Sequence, residues 1–178
     1  MRDPLGIYLQ DHLAGSMLGV ELVERCRRNN EGTRFYEPLE ELAADIRSDR
    51  ETLIQVMDDL GAEPSRLKSA VAWAFEKAQR LKPNGSFVGY TPLDRVAELE
   101  SLAIGIAGKR AMWRLLEQLG SRGQQAGGHD FSALVQAAEN QLARVEALRL
   151  EAAEVAFTSA SPSTGAGEAR PNTGHQSR

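Results

Sequence analysis

Residues 39–53, LEELAADIRSDRETL, place apolar side chains at the spacing of an amphipathic α-helix. The residues that share this apolar face, including two that follow the quoted stretch, are Leu39, Leu42, Ile46, Leu53, Met57 and Leu60. Most residues between them are charged or small. Because only one side of such a helix is apolar, that side must pack against other elements, and the stretch predicts one helix of a bundle.

Proline, glycine and capping residues divide the rest of the chain into further helical segments. Asp3-Pro4 and Thr91-Pro92 each offer a capping side chain followed by proline in the first turn, where its missing N–H is not needed. Gly61 supplies a left-handed stop, and Asp130 can cap a last helix. The predicted helices cover residues 4–29, 38–60, 64–82, 92–119 and 130–157.

Four of these helices are long enough to form one bundle. Each would span about 40 Å at about 1.5 Å per residue. The first and last connections are short, which pairs neighbours antiparallel, whereas about 30 residues separate the second and third long helices. A connection of that length can run the whole bundle and leave those two helices parallel. The predicted fold is an all-α four-helix bundle over residues 1–157, with one long crossover connection containing an extra short helix. Residues 158–178 have little to bury and are expected to form a disordered tail.

The composition is that of an ordinary globular protein. A length of 178 residues suits one domain with a sizeable core, and a net charge of −4 gives no general attraction for nucleic acid. A single cysteine, Cys26, excludes an intramolecular disulfide and a cysteine-rich zinc site. No stretch approaches about 18 apolar residues, and MRDPLGIYLQDH lacks the apolar run of a signal peptide. We expect a cytoplasmic protein without a transmembrane segment.

The order and lengths of the helices resemble the ferritin-like superfamily over roughly residues 4–157. Members of that superfamily that bind two irons carry one glutamate on each of two helices and Glu-x-x-His on the other two. The corresponding candidates here are Glu41-x-x-Ala44, Asp45-x-x-Ser48, Glu139-x-x-Leu142 and Glu146-x-x-Arg149. None contains histidine. The resemblance therefore implies the fold without the standard di-iron chemistry.

Four polar residues nevertheless lie near the apolar faces of their helices. They are His12, Asp49, Glu98 and Lys109, and we expect some of them to meet in a buried polar layer because buried charges need partners. One interpretation is an ion-paired plug in which the Lys109 ammonium takes the place of a metal cation. The alternative is a single iron or manganese site formed by His12, Asp45, Asp49 and Glu98.

The short helix predicted in the crossover is basic. Arg66, Trp73, Lys77 and Arg80 share the face opposite its apolar stripe, and such a face can bind an anionic membrane, nucleic acid or protein. The simpler interpretation has Trp73 packed under lysine and arginine stems, with the charges solvated. If the surface does bind an anionic partner, replacing its three cations with glutamine should abolish that binding.

Three functional hypotheses follow. The first is a ferritin-like bundle without a metal, acting as a non-catalytic structural or interaction protein, for which no catalytic residue is predicted. The second is a divergent metal-binding protein or oxidase, and the third is a binder of anionic partners through the crossover helix. Association into a homo-oligomer through an outer helix face is compatible with each hypothesis.

Overall fold

The computed structural model describes residues 3–62, 89–121 and 128–158, and every regular element in these ranges is an α-helix. The helices are α1 (Pro4–Asn29), α2 (Tyr36–Asp59), α3 (Pro92–Ser121) and α4 (Phe131–Thr158). The prediction of an all-α four-helix bundle is confirmed. The short helix predicted at 64–82 and the tail from residue 159 onward lie outside the described residues.

Side-chain caps begin three of the helices at the predicted positions. The Asp3 carboxylate accepts hydrogen bonds from the backbone N–H groups of Leu5 at 3.1 Å and Gly6 at 3.0 Å. Thr91 and Asp94 form a reciprocal capping box, in which each side chain accepts from the other residue's backbone N–H. The Asp130 carboxylate accepts from the N–H of Ala133 at 3.0 Å. Local sequence thus fixes where these helices start.

The two ends of α2 are formed differently. The helix begins at Tyr36, two residues before the predicted start, so Pro38 lies in the first turn, where its missing N–H is not needed. At the other end Gly61 adopts a φ of 63°, the left-handed conformation that glycine accepts most readily. The Ala62 N–H donates to the Met57 carbonyl at 2.9 Å and completes a Schellman stop.

Ion pairs show the direction of each helix. Arg25, late in α1, contacts Glu98, early in α3, and Asp59 at the end of α2 contacts His129 just before α4. Arg149 of α4 contacts Glu100 of α3 at 3.5 Å. Both α2 and α3 therefore run antiparallel to α4, which makes α2 and α3 parallel to each other. This parallel direction is the one predicted from the length of the connection between them.

The apolar faces of all four helices meet in one core. Its largest fully buried side chains include Trp113, Leu9, Leu39, Leu42, Met57, Leu99, Met112 and Leu116. The buried stripe of α3 includes Leu99, Leu102, Ile106, Trp113 and Leu116. On α4 Leu142 is only partly buried, whereas its neighbour Gln141 is buried. No helix in the described ranges has both the length and the apolarity needed to cross a bilayer.

Candidate functional site

A closed ring of three polar side chains lies inside the bundle. Lys109 of α3 donates to the carboxylate of Asp49 on α2 and to the side-chain carbonyl of Gln141 on α4. The Gln141 amide nitrogen donates to the same carboxylate oxygen, Asp49 Oδ2, at 2.8 Å. The ring therefore joins three helices, and each of its members hydrogen-bonds both others.

The ring is nearly closed to solvent. The side chains of Asp49 and Lys109 are 11% and 16% exposed, and Gln141 is 3% exposed. Burial lowers the pKa of Lys109 because it penalises the charged ammonium, and the nearby Asp49 carboxylate opposes this effect. An ion pair at this depth is favourable only when its remaining hydrogen-bonding capacity is used, and Gln141 provides a partner for both charges.

Glu98 lies in a second network, between the end of α1 and the start of α3. Its carboxylate accepts from Arg25 at 2.8 Å and from the Tyr90 hydroxyl at 2.9 Å. The Tyr90 hydroxyl in turn accepts from the side-chain amide of Asn30 at 3.0 Å. Each oxygen of the Glu98 carboxylate thus has a protein donor, and the residue is 9% exposed.

Asn30 holds this second network together. Its side-chain nitrogen also donates to the Cys26 carbonyl at 2.7 Å, and its oxygen accepts from the guanidinium of Arg95. Asn30 is fully buried, and the Arg95 guanidinium stacks on the ring of Phe35 at 4.2 Å from the centroid. The turn after α1 is thereby fixed to the first turn of α3.

Burial dominates the electrostatics of two further groups in this network. It raises the pKa of the Cys26 thiol to about 12, and the Glu98 carboxylate adds to the effect. Burial also raises the pKa of Tyr90, with a further contribution from Cys26. At neutral pH both groups therefore keep their protons. Cys26 does not have the electropositive, accessible setting of a nucleophilic or metal-binding thiolate.

His12 belongs to neither of these two networks. Its ring packs edge-on against Tyr8, one turn earlier on α1, with 4.6 Å between centroids. Burial lowers the pKa of His12, and the neighbouring Asp11 carboxylate partly offsets that shift. Burial, the larger of the two effects, therefore favours the neutral imidazole.

Asp45, the remaining residue of the alternative metal set, is paired with Arg144 of α4. Its side chain is 42% exposed, so this is a surface contact rather than a core one. Within residues 3–62, 89–121 and 128–158, no group of three or more histidine, cysteine, aspartate or glutamate side chains is arranged to hold a metal ion.

The four residues predicted for the polar layer therefore have three different settings. Asp49 and Lys109 pair directly, Glu98 belongs to the network around Asn30, and His12 packs on Tyr8. The alternative metal set of His12, Asp45, Asp49 and Glu98 is not brought to one point. The predicted basic surface of Arg66, Trp73, Lys77 and Arg80 lies outside the described residues and stays a prediction.

Sequence reasoning missed the residues that complete these networks. Gln141 follows Ala138 by three residues and precedes Val145 by four, and both of those are buried. Helix spacing could therefore have indicated that Gln141 lies on the core face. No comparable signal marks Tyr90 or Asn30, because both lie in connections without periodicity. Their partners can be identified only from the packing of α1 against α3.

Comparison with known proteins identified no relative of this chain. No protein-family model, curated protein or solved structure matches this chain. The resemblance to the ferritin-like superfamily therefore stays a prediction, and the structure supports the coarser assignment of an all-α four-helix bundle.

Proposed function

We propose that this chain is a ferritin-like helical bundle that works without a metal centre, as a non-catalytic structural or interaction protein. The observation that carries the proposal is the ring of Asp49, Lys109 and Gln141. It joins α2, α3 and α4 through buried polar groups, in the part of the fold where ferritin-like metal proteins direct their ligands.

The chemistry of the ring argues against a cation there. Hard divalent metals take roughly six or more carboxylate, carbonyl and water oxygens, and this ring offers one carboxylate and the single side-chain carbonyl of Gln141. The Lys109 ammonium contacts that carboxylate. A metal bound to Asp49 would therefore have to replace this contact and would still be repelled by the positive charge of Lys109 nearby. Asp49 Oδ2 also accepts a hydrogen bond from the Gln141 amide, which a metal at that oxygen would disturb. The ring is a complete set of interactions as it stands.

The other residues of the alternative metal site are also committed. Glu98 accepts from Arg25 and Tyr90, and Asp45 pairs with Arg144. Recruiting Glu98 and Asp45 to a metal would break contacts that involve all four helices. These commitments support a role in fixing how the helices pack, and they favour the metal-free hypothesis over the divergent metal enzyme.

The test is the metal content of the purified full-length chain, before and after anaerobic incubation with Fe(II) or Mn(II) and gel filtration. We expect no stoichiometric metal and no rise in Tm on adding either ion, since a ligand that binds the folded state must raise Tm. One metal per chain, lost in an Asp49→Asn variant and kept in an Asp58→Asn variant on the exposed face of α2, would overturn the proposal.

A further inference from the structure

Large apolar side chains are exposed mainly on one side of the bundle. Among the described residues, six such side chains are well exposed, and only one of them, Ile7, lies on α1 or α2. The other five lie on α3 and α4 and are called here the α3–α4 patch: Leu93 (57% exposed), Ile104 (74%), Leu115 (37%), Leu150 (52%) and Phe157 (64%). The outward positions of α2 are by contrast occupied by charged side chains such as Glu37, Arg47 and Glu51.

The three α3 members of the patch form a straight line. Leu93, Ile104 and Leu115 are each eleven residues apart, a spacing that returns to nearly the same side of a helix. That side is opposite the buried stripe of Leu99, Ile106 and others. The line is about 33 Å long at about 1.5 Å per residue.

The two α4 members lie on the side of α4 that faces α3. Leu150 is eleven residues after Glu139, which contacts Arg114 of α3 at 2.5 Å, and Phe157 follows two turns later. Residues late in α4 are level with residues early in α3, because Arg149 contacts Glu100. The exposed ends of the two helices, Phe157 and Leu93, therefore lie at the same end of the bundle.

The charged side chains around the patch form ion pairs with one another within the same chain. Arg110 and Arg114 contact Glu139, while Arg149 contacts both Glu100 and Glu146. Three cations thus meet three anions along this surface, although the whole chain carries a net charge of −4. Two copies can bring these surfaces together without the repulsion that unpaired like charges would cause.

We propose that a second copy of this chain covers the α3–α4 patch, with the two α3 helices antiparallel about a two-fold axis at Ile104. Ile104 is the midpoint between Leu93 and Leu115, so an antiparallel copy places its Leu115 against Leu93 and its Ile104 against Ile104. Such self-complementarity is what a two-fold interface requires. The exposed alanines Ala97 and Ala111 are also exchanged by this axis and allow a close approach.

The size of the surface is sufficient for a dimer. A line about 33 Å long across two helices, each about 10 Å wide, covers roughly 660 Å² per copy. This is close to the ~800 Å² per partner of a standard specific interface. This proposal rests on the proposed function and gives its interaction role a surface and a partner. The two can fail independently, because the dimer is tested by molecular mass and the proposed function by metal content.

The first test is the mass of the full-length chain by sedimentation equilibrium across the micromolar range. We expect a dimer, and loss of that dimer in an Ile104→Glu variant, which places two carboxylates together on the axis. Ile104 is 74% exposed, so the variant should fold, and circular dichroism checks this. Ala44→Glu, on the exposed face of α2, is the matched control and should stay dimeric. A monomeric wild type, or a dimer that survives Ile104→Glu, would overturn the proposal.

The second test addresses the axis itself. An Ile104→Cys chain should form a disulfide-linked dimer on mild oxidation, because the residue faces its own copy. Leu93→Cys alone should not crosslink, whereas a chain carrying both Leu93→Cys and Leu115→Cys should. Cys26 is fully buried and does not compete. Crosslinking of Leu93→Cys alone, with none at Ile104→Cys, would contradict the antiparallel arrangement.

Discussion

The Gln141 amide of α4 donates to the Asp49 carboxylate of α2 at 2.8 Å, while the Gln141 carbonyl accepts from Lys109 of α3. One neutral side chain therefore contacts both members of a buried ion pair. Because charges removed from water are costly unless their hydrogen-bonding capacity is used, Gln141 is part of what makes this pair tolerable. The ring also fixes the rotation of three helices, since each member must face the others.

Removing one charge of the ring should be expensive. We expect Asp49→Ala to lower the free energy of unfolding by about 3–5 kcal/mol, because the buried Lys109 ammonium then lacks its counter-charge. Urea denaturation followed by circular dichroism measures the change. A loss below about 1 kcal/mol would mean that the pair is effectively solvated.

Replacing the whole ring should cost much less. An Asp49→Leu, Lys109→Met, Gln141→Leu chain keeps the bulk of the side chains and leaves no unpaired charge. We expect its free energy of unfolding to lie within about 2 kcal/mol of the wild type, or above it. If the triple variant is as unstable as Asp49→Ala, packing rather than charge pairing explains the single substitution.

Lys109 should give the stability of the protein a measurable pH dependence. Burial lowers its pKa in the folded state, whereas the unfolded chain keeps the ordinary lysine pKa. Between those two values the unfolded state binds more protons, so raising the pH favours folding there. We expect the wild type to gain stability relative to a Lys109→Met variant as the pH approaches the ordinary lysine pKa, measured by urea denaturation at a series of pH values. A relative loss of stability would show that Asp49 outweighs burial.

The Tyr90 hydroxyl bridges Asn30 and Glu98, and both contacts are lost in Tyr90→Phe. We expect that variant to lose about 1–3 kcal/mol of unfolding free energy, because a buried acceptor and a buried donor are left without this partner. Tyr36→Phe is a suitable control, since it removes one hydroxyl that accepts from Arg27 at a less buried site. Its cost should stay below about 1 kcal/mol. Equal losses in thermal or urea denaturation would contradict the role of the bridge.

Cys26 should resist thiol reagents in the folded protein. The thiol is fully buried and burial raises its pKa to about 12, so little thiolate exists at neutral pH. We expect labelling by a chromogenic disulfide reagent to proceed at the rate of unfolding and to become fast in urea. Rapid, complete labelling in buffer would show that the end of α1 opens readily.

Gly61 should be sensitive to substitution for reasons of backbone conformation alone. Apart from the two adjacent residues, no atom lies within 4 Å of the position that a Cβ would take at Gly61. The destabilisation by Gly61→Ala should therefore come from the φ of 63°. We expect a loss of about 1–2 kcal/mol in unfolding free energy. Gly15→Ala, in the open middle of α1, should instead gain about 0.4–1 kcal/mol. Changes of the same sign in the two variants would contradict this explanation.

Much of the fold was predictable because it depends on local signals. The apolar face of α2 follows from a period of 3.6 residues, and the caps at Asp3, Thr91 and Asp130 mark the helix starts. The long connection between α2 and α3 also indicated their parallel direction. Each of these signals is a spacing, a capping residue or a connection length along the chain, so no tertiary contact was needed to recognise it.

Tertiary structure alone decided which polar groups meet. Asp49, Glu98 and Lys109 all lie near apolar faces, yet Lys109 pairs with Asp49 while Glu98 contacts Arg25 and Tyr90. A helical wheel gives the direction of each side chain around its own axis, but not the height and rotation of one helix against another. Those two quantities are set by the packing of the entire core, in which Trp113, Leu99 and Met57 are fully buried, and they determine which charge finds which partner.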